Sequence, residues 1–327
     1  MNRDLTIDVL RFIGISLIIL AHILGPGSLL FQIRSFDVPL MVFVSGLANS
    51  GKTMQNYWAY LKRRLPRLVI PVWLFYTFYF LIEYIGYRAG IVSSFLETKQ
   101  IVNTFLCIEG YGWIIRVFVL IMLVTPFISL LEEKVSDRVF AIISIALISL
   151  HAILFPFYHA FSRPGLVQQI MDLTIPYLLG YVPAYMIGIM MRKASVWSKL
   201  ILGVSFLCVL GICCSLQITN NGGFDIETFK WPPQLPFICY GVGVSCLLWA
   251  LKKPLVLLSK WNVVVFIGQN TIWIYLWHIL ALSFIFRITN IWWFQYLIVY
   301  GFALFLCWVQ NRISAFLPSD IGKYLKG

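Results

Sequence analysis

The stretch DVLRFIGISLIILAH, from Asp8 to His22, decides the fold class. It is apolar enough for a bilayer core, yet it carries an acid, a guanidinium and an imidazole at Asp8, Arg11 and His22. Ionisable groups in a membrane span are costly and usually face a protein interior or a wet cavity, where they serve function. The stretch therefore predicts a membrane protein with a site on its first helix.

The composition of the whole chain agrees with this prediction. Of 327 residues, 60% are hydrophobic and 12% are charged, whereas a soluble domain averages about 25% charged residues. The first apolar run contains Arg11 and lacks a small-residue cleavage site after it, so we expect a retained span and not a signal peptide. The class of ordinary soluble enzymes is excluded.

We predict an all-α fold with about ten transmembrane helices, because ten apolar runs have the roughly 17–25 residues that a bilayer requires. The predicted spans are 5–24, 34–50, 66–86, 113–131, 138–155, 171–191, 197–217, 234–251, 262–283 and 293–315. The second has a short apolar core, so we expect it to be tilted or broken. We expect residues 1–327 to form one integral-membrane domain with no appended soluble domain.

The basic residues orient these spans. The formal net charge is +12, and most loop lysines and arginines fall on one side if the N-terminus is cytoplasmic. Such a bias in short loops marks the cytoplasmic side, so both termini are predicted to be cytoplasmic. Basicity here reflects topology, and no nucleic-acid partner is expected.

Two further patterns are rejected. GLANSGKT, Gly46 to Thr53, matches a phosphate-binding loop but lacks the strand before it and the α/β sheet around it. We interpret it as a glycine-containing exit from the second span. The cysteines and the pair His151 and His159 lack metal-ligand spacing, so no metal site is predicted.

The polar residues of the first span share one face. At about 100° per residue, Arg11 and His22 lie on the same side of a helix, about 16 Å apart along its axis. Asp8 precedes Arg11 by three residues and can pair with it. An imidazole suits proton transfer near neutral pH. Alternatively, Arg11 extends to the inner interface and His22 sits at the outer one, both without function.

Other candidate residues lie near the ends of later spans. Arg64 and Arg67, in RLPR, open the third span, where they can bind phosphates, bind anionic lipid or serve topology alone. Ser45 lies within the second span, and Trp113, Arg116, Tyr275 and His278 lie toward the outer ends of the fourth and ninth spans.

The outer loop NNGGFDIETFKWPPQLP, before the eighth span, is rich in polar residues. It carries Asp225, Glu227, Lys230 and Trp231 beside a proline pair. A polar loop with an aromatic side chain suits a sugar surface, although such loops are often only connectors.

In this order and topology, the motifs resemble those of membrane acyltransferase family 3, whose bacterial members O-acylate surface polysaccharides. The motifs are Asp8 with Arg11 and His22 ten residues further on, FVSG from Phe43 to Gly46, Arg64-x-x-Arg67, and IYLWH ending at His278. The resemblance covers the entire chain. The chain departs from the family at Trp113, where WII replaces the frequent Trp-Phe-Leu.

The resemblance implies an acyl-CoA donor, most often acetyl-CoA, and a glycan hydroxyl as acceptor, on a surface polysaccharide or a lipid-linked glycan. It implies a bacterial inner-membrane O-acyltransferase with no tightly bound cofactor. His22 would be the general base, with Asp8 orienting Arg11. Arg11, Arg64 and Arg67 would bind the donor.

The remaining candidates, Ser45, Trp113, Arg116, Tyr275 and His278, would lie on the acceptor or oxyanion side. The alternative class is a transporter or flippase for lipid-linked sugars, because spans with polar residues and a broken second helix suit it too.

Overall fold

The computed structural model describes residues 3–52, 56–91, 96–158, 165–286 and 289–326. Within these ranges the regular elements are helices and no β-strand is present, which confirms the all-α prediction. Thr53 of the GLANSGKT stretch and His159 lie outside the described residues.

The α-helices are α1 (Leu5–Ala21), α2 (Leu29–Ile33), α3 (Asp37–Asn49), α4 (Tyr57–Arg88), α5 (Thr98–Phe105), α6 (Trp113–Lys134), α7 (Asp137–Leu154), α8 (Leu166–Met191), α9 (Val196–Asn221), α10 (Leu235–Ala250), α11 (Lys252–Leu255), α12 (Asn262–Gln269), α13 (Thr271–Ile285), α14 (Trp292–Ser314) and α15 (Ser319–Leu325). Short 3₁₀ helices are Arg34–Phe36, Gly110–Gly112, Phe155–Phe157, Ile226–Phe229 and Val256–Lys260.

Seven helical stretches in the described part of the chain are long and apolar enough to cross a membrane, or up to nine if each of two bent pairs counts as one span. α1 is not among them: its 17 residues rise about 25 Å, less than the roughly 30 Å of a hydrocarbon core. The count of ten and the cytoplasmic position of both termini stay predictions.

Helix boundaries differ most from the predicted spans at two places. α4 begins at Tyr57 and not near residue 66, because the Asn56 side chain accepts the Ala59 N–H at 2.9 Å and caps the helix. The run 262–283 is not one helix but two, α12 and α13, which are separated at Asn270. The Asn270 side chain accepts a hydrogen bond from Asn311 at 2.8 Å, a polar contact that a hydropathy pattern does not reveal.

The chain divides into two compact units, each built from two segments. The first unit comprises Met1–Gln55 and Leu123–Gly268, and the second comprises Asn56–Met122 and Gln269–Gly327. Each unit therefore needs residues from distant parts of the sequence. The single-domain organisation stays a prediction.

In the second unit, α13 packs against α4 and α14, and α15 packs against the same two helices. Two indoles of α13 hold this arrangement. Trp273 donates to the Tyr324 carbonyl at 3.1 Å, and Trp277 donates to the Gln310 side chain at 2.7 Å. These bonds satisfy polar groups that would otherwise be left unpaired in an apolar environment.

In the first unit, α3 packs against α1, α8 and α10, and α9 packs against α10. Glycines allow the closest of these approaches. A Cβ at Gly46 would overlap the Tyr185 carbonyl, and one at Gly188 would overlap the Phe43 carbonyl. Small residues at helix interfaces let membrane helices pack backbone to backbone. Close helix approach is therefore the structural role of Gly46.

The substitution Gly188→Ala tests this packing. We expect it to destabilise the protein by about 1–3 kcal/mol, since the added methyl group must push α8 away from α3. Thermal unfolding of the purified protein in detergent measures the loss. The matched control is Gly211→Ala in α9, where an added Cβ meets no atom within 4 Å. An equal effect of the two substitutions would contradict close packing at Gly188.

Asp4 connects the start of α1 to the ends of other helices in the first unit. As N-cap, it accepts the Thr6 N–H at 3.1 Å. Its carboxylate also pairs with Arg192 at 2.7 Å and Lys252 at 2.6 Å. Burial raises the pKa of the Asp4 carboxyl, but Lys252 and Arg192 outweigh burial and hold the pKa below its usual value.

A carboxyl group whose pKa is lower in the folded state than in the unfolded state stabilises the protein at pH values above its unfolded-state pKa. This contribution to stability is lost as the pH falls through the folded-state pKa. Asn caps a helix as well as Asp does, so Asp4→Asn removes only the charge. We expect this variant to be less stable at pH 7 by up to about 1 kcal/mol. The difference from wild type should disappear below about pH 3–4. The unfolding temperatures of the variant and the wild type are measured between pH 3 and 8. A difference between them that does not change with pH would contradict the role of the charge.

Candidate functional site

Asp8 lies buried near the start of α1, with 1% of its surface exposed. Arg3 binds both of its carboxylate oxygens, at 2.8 and 2.9 Å, whereas Arg11 approaches one of them at 3.6 Å. The predicted pair of Asp8 and Arg11 is present, but Arg3 is the stronger partner. From the sequence alone, Arg3 is only one of the basic residues that mark the cytoplasmic side of the membrane.

His22 ends α1, where its backbone N–H donates to the carbonyls of Ile19 and Leu20. Its imidazole is half-buried. The charges of Lys230 and Arg34 act on the ring. The imidazole therefore lies within electrostatic range of charged residues from other parts of the first unit.

This group, the Arg34 cluster, comprises Arg34, Asp37, Glu227 and Lys230. The Arg34 guanidinium contacts Asp37 at 2.8 Å and Glu227 at 3.0 Å, and Lys230 contacts Glu227 at 3.2 Å. Arg34 is 1% exposed. Buried charges are tolerated when they are paired and hydrogen-bonded, and here two cations meet two carboxylates.

Local structure places these groups. Arg34 lies in the 3₁₀ turn before α3, and Glu227 lies in the 3₁₀ helix before α10. Gln32 joins the two segments, since its amide donates to Asp225 at 2.6 Å and accepts the Ile226 N–H at 2.9 Å. The polar loop singled out from the sequence is thereby fastened to the entrance of α3.

Every carboxylate oxygen of the cluster has a donor or a cation beside it. Besides the ion pairs, the Val38 N–H donates to Asp37 and the Ser35 hydroxyl donates to Glu227. The buried Tyr181 hydroxyl and the Arg34 Nε have no hydrogen-bond partner in the described part of the chain. Asp37 and Glu227 act electrostatically on Tyr181. An oxygen of a bound molecule could accept from such donors.

The structure gives two of the predicted residues local bonding roles. The Ser45 hydroxyl donates to the Met41 carbonyl one turn earlier in α3, at 3.0 Å. Arg116 donates to the carbonyls of Cys107 and Ile108, each at 3.3 Å, just beyond the end of α5.

The second unit brings several other predicted residues together around Tyr111. The Tyr275 hydroxyl donates to the Tyr111 carbonyl, and the His278 ring stands edge-on to the Tyr111 ring, with centroids 6.5 Å apart. His278 is buried and bonds the Tyr275 carbonyl. Trp113 is buried at the start of α6, close in sequence to Tyr111. The predicted neighbours Tyr275 and His278 thus share one environment.

Arg64 and Arg67 lie about two turns inside α4 and not at its start. Arg64 is half-buried and Arg67 is exposed. Among the described residues, neither forms an ion pair, so both guanidinium groups are available to a ligand.

His151 has a structural role. Its ring nitrogens contact the Pro233 carbonyl at 2.6 Å and the Tyr158 hydroxyl at 3.0 Å. Both nitrogens are therefore engaged within the first unit.

Sequence reasoning missed Arg34, Asp37 and Tyr181 as site residues. One signal was present: Arg34 and Asp37 are three residues apart at the entrance to a span, the same spacing as Asp8 and Arg11. Tyr181 had no signal, because an aromatic residue inside an apolar helix is indistinguishable from core.

Comparison with protein families identifies the family of this chain. The profile of a family described as an acyltransferase domain matches residues 4–312. The chain belongs to membrane acyltransferase family 3. The match confirms the resemblance seen in the sequence motifs, and with the apolar helices it identifies a multi-pass membrane acyltransferase. Neither the curated proteins nor the solved structures include a significant match.

Removal of the central charge tests the Arg34 cluster. We expect Arg34→Met to destabilise the protein by about 3–5 kcal/mol, because two carboxylates lose their shared partner in a buried site. Thermal unfolding in detergent measures the loss. The control is Arg138→Met, an exposed arginine of α7, which should have little effect. Similar stabilities of the two variants would show that the cluster is not a stabilising network.

Proposed function

We propose that this protein transfers an acetyl group from cytoplasmic acetyl-CoA to a hydroxyl of a surface-polysaccharide or lipid-linked glycan at the bacterial inner membrane. The observation that carries the proposal is that His22, at the end of α1, is under the charges of the Arg34 cluster in a chain of the acyltransferase family.

His22 acts as the general base. The acceptor hydroxyl oxygen attacks the thioester carbonyl carbon while the imidazole takes the hydroxyl proton. The tetrahedral intermediate then collapses, the carbon–sulfur bond breaks, and the CoA thiolate leaves and takes up a proton. This sequence needs no redox partner.

Arginine side chains bind the donor. Arg64 and Arg67 have no ion pair among the described residues and can form charge-assisted hydrogen bonds with the phosphates of CoA. Arg11 is also a donor-binding residue in this proposal, and its loose contact with Asp8, at 3.6 Å, leaves its guanidinium able to bind a ligand.

The acceptor side needs groups that bind sugar hydroxyls and stabilise the oxyanion. We assign sugar binding to the Arg34 cluster and Tyr181, because donors without partners suit hydroxyl and ring oxygens. Tyr275 and His278 are assigned to the acceptor side or to the oxyanion. Ser45, Trp113 and Arg116 were expected to act there as well, but the bonds of Ser45 and Arg116 favour structural roles.

Release of CoA tests the reaction. Purified protein with acetyl-CoA and a glycan extract of its host should liberate free thiol, and His22→Ala and His22→Gln should lower the rate by about 10²–10⁴-fold. Glutamine keeps hydrogen-bonding capacity but cannot take the proton, so it separates base catalysis from positioning. Unfolding temperatures confirm that the variants fold. Full activity of folded His22→Gln would refute the role as base.

Donor binding has its own test. We expect Arg64→Met and Arg67→Met each to raise the KM for acetyl-CoA by about tenfold, the loss of about 1.4 kcal/mol of binding free energy. The matched control is Arg63→Met, an exposed neighbour on the same helix. Unchanged KM values would exclude these two arginines from the donor site.

A second candidate function is transport of lipid-linked sugars. One observation favours it: α10 and the helical segment Lys252–Lys260 meet at a bend of 73°, and broken helices are common in transporters. The same assay separates the two functions. An acyltransferase releases CoA only when an acceptor is present, and a transporter releases none.

A further inference from the structure

Three cations of the first unit surround one aromatic ring, that of Trp249. The distances to its ring centroid are 4.9 Å from Lys252, 5.4 Å from Lys199 and 5.7 Å from Arg192. We call these four residues, together with Asp4, the Trp249 cluster. The three cations come from the end of α8, the start of α9 and the residue that opens α11.

The ring is a fixed platform. Trp249 is almost fully buried, and its indole N–H donates to the Met191 carbonyl at 2.8 Å. A cation over the face of such a ring is attracted to it. That attraction does not remove the repulsion among three like charges held this close together.

The cluster carries more positive than negative charge. Asp4 pairs with Arg192 and Lys252, and one carboxylate neutralises only one of the three cations. Lys199 forms no ion pair and no hydrogen bond with any described residue, although it is only 8% exposed. The positive charge of this largely buried side chain is therefore not compensated by an anionic partner among the described residues.

Two further features make the position of Lys199 unfavourable without a ligand. It lies four residues after Ser195, the N-cap of α9, near the positive end of the helix dipole. Lys252 and Arg192 also repel it. An anion in the cluster would offset this repulsion, because it would attract all three cations and the positive end of the helix dipole.

We infer that the Trp249 cluster binds a phosphate group, which Lys199, Arg192 and Lys252 hold together. Phosphate carries the charge that the cluster lacks, and both lysine and arginine bind it well. The cluster lies at the ends of helices long and apolar enough to span a membrane, at a level where lipid headgroups and soluble phosphate esters are both within reach. This site is separate from the proposed acyl transfer and does not depend on it.

Ligand-dependent stability tests the site. Delipidated full-length protein in non-ionic detergent is heated with dioctanoyl-phosphatidylglycerol, with dioctanoyl-phosphatidylcholine, or with inorganic phosphate against chloride at equal ionic strength. We expect phosphatidylglycerol or inorganic phosphate to raise the unfolding temperature by several degrees. A shift with the lipid alone identifies a headgroup site, and a shift with inorganic phosphate identifies a site for soluble phosphates. No shift with either overturns the inference.

Lys199→Met separates this site from general effects of lipid or salt. It should abolish the shift, and without ligand it should be at least as stable as wild type, because a buried unpaired charge is gone. The control is Lys260→Met, an exposed lysine of the same unit, which should respond as wild type does. An unchanged shift in Lys199→Met would refute the site.

Asp4→Asn provides a test in the opposite direction. Removal of the competing carboxylate leaves all three cations to the ligand, so half of the maximal shift should be reached at a severalfold lower phosphate or lipid concentration. A weaker or unchanged response in a folded Asp4→Asn variant contradicts the proposed cluster, even if Lys199→Met does not fold.

Discussion

The compensation of buried charge is the constraint on which the rest of the structure depends. A chain this apolar can bury a charged group only where an opposite charge or hydrogen bonds offset the loss of water. Asp8 meets the condition through Arg3, and Arg34 meets it through Asp37 and Glu227. Glu227 comes from a distant segment, so its pair with Arg34 also fixes the position of one segment against another.

The Arg34 cluster illustrates how this constraint produces a site. Its charges hold the loop before α10 at the entrance of α3, and the same charges act on His22 at the end of α1. The cluster joins two segments remote in sequence, and the charges of its two cations act on the imidazole. The Tyr181 hydroxyl and the Arg34 Nε are left as donors without partners, which is the arrangement expected where a polar ligand binds and not where a core is merely packed. In the Trp249 cluster the positive charges outnumber the negative ones, and this excess of positive charge points to an anionic ligand.

Much of the architecture was predictable because hydropathy and helix capping are local. Most helices overlap their predicted spans closely; α14, for example, covers Trp292–Ser314 where 293–315 was predicted. The largest differences between predicted and observed helix boundaries arise where a single polar residue sets the boundary. Asn56 extends α4 by capping it early, and Asn270 divides the run 262–283 because its side chain is bound by Asn311. The motif order that pointed to the family was equally local, and the match over residues 4–312 confirms it.

The sequence by itself determined that this is an all-helical membrane protein, since composition and helical periodicity need no knowledge of packing, and the resemblance of its motifs indicated the acyltransferase family. Only the tertiary structure decided which partners the ionisable groups have. In the folded protein Arg3 pairs with Asp8, and the charges of Arg34 and Lys230 act on His22. The Tyr181 hydroxyl has no hydrogen-bond partner among the described residues, and three cations surround the Trp249 ring. The physical reason is that pairing of charges depends on distances of a few ångströms between residues that can lie far apart in sequence, as with Asp4 and Lys252, which are 248 residues apart.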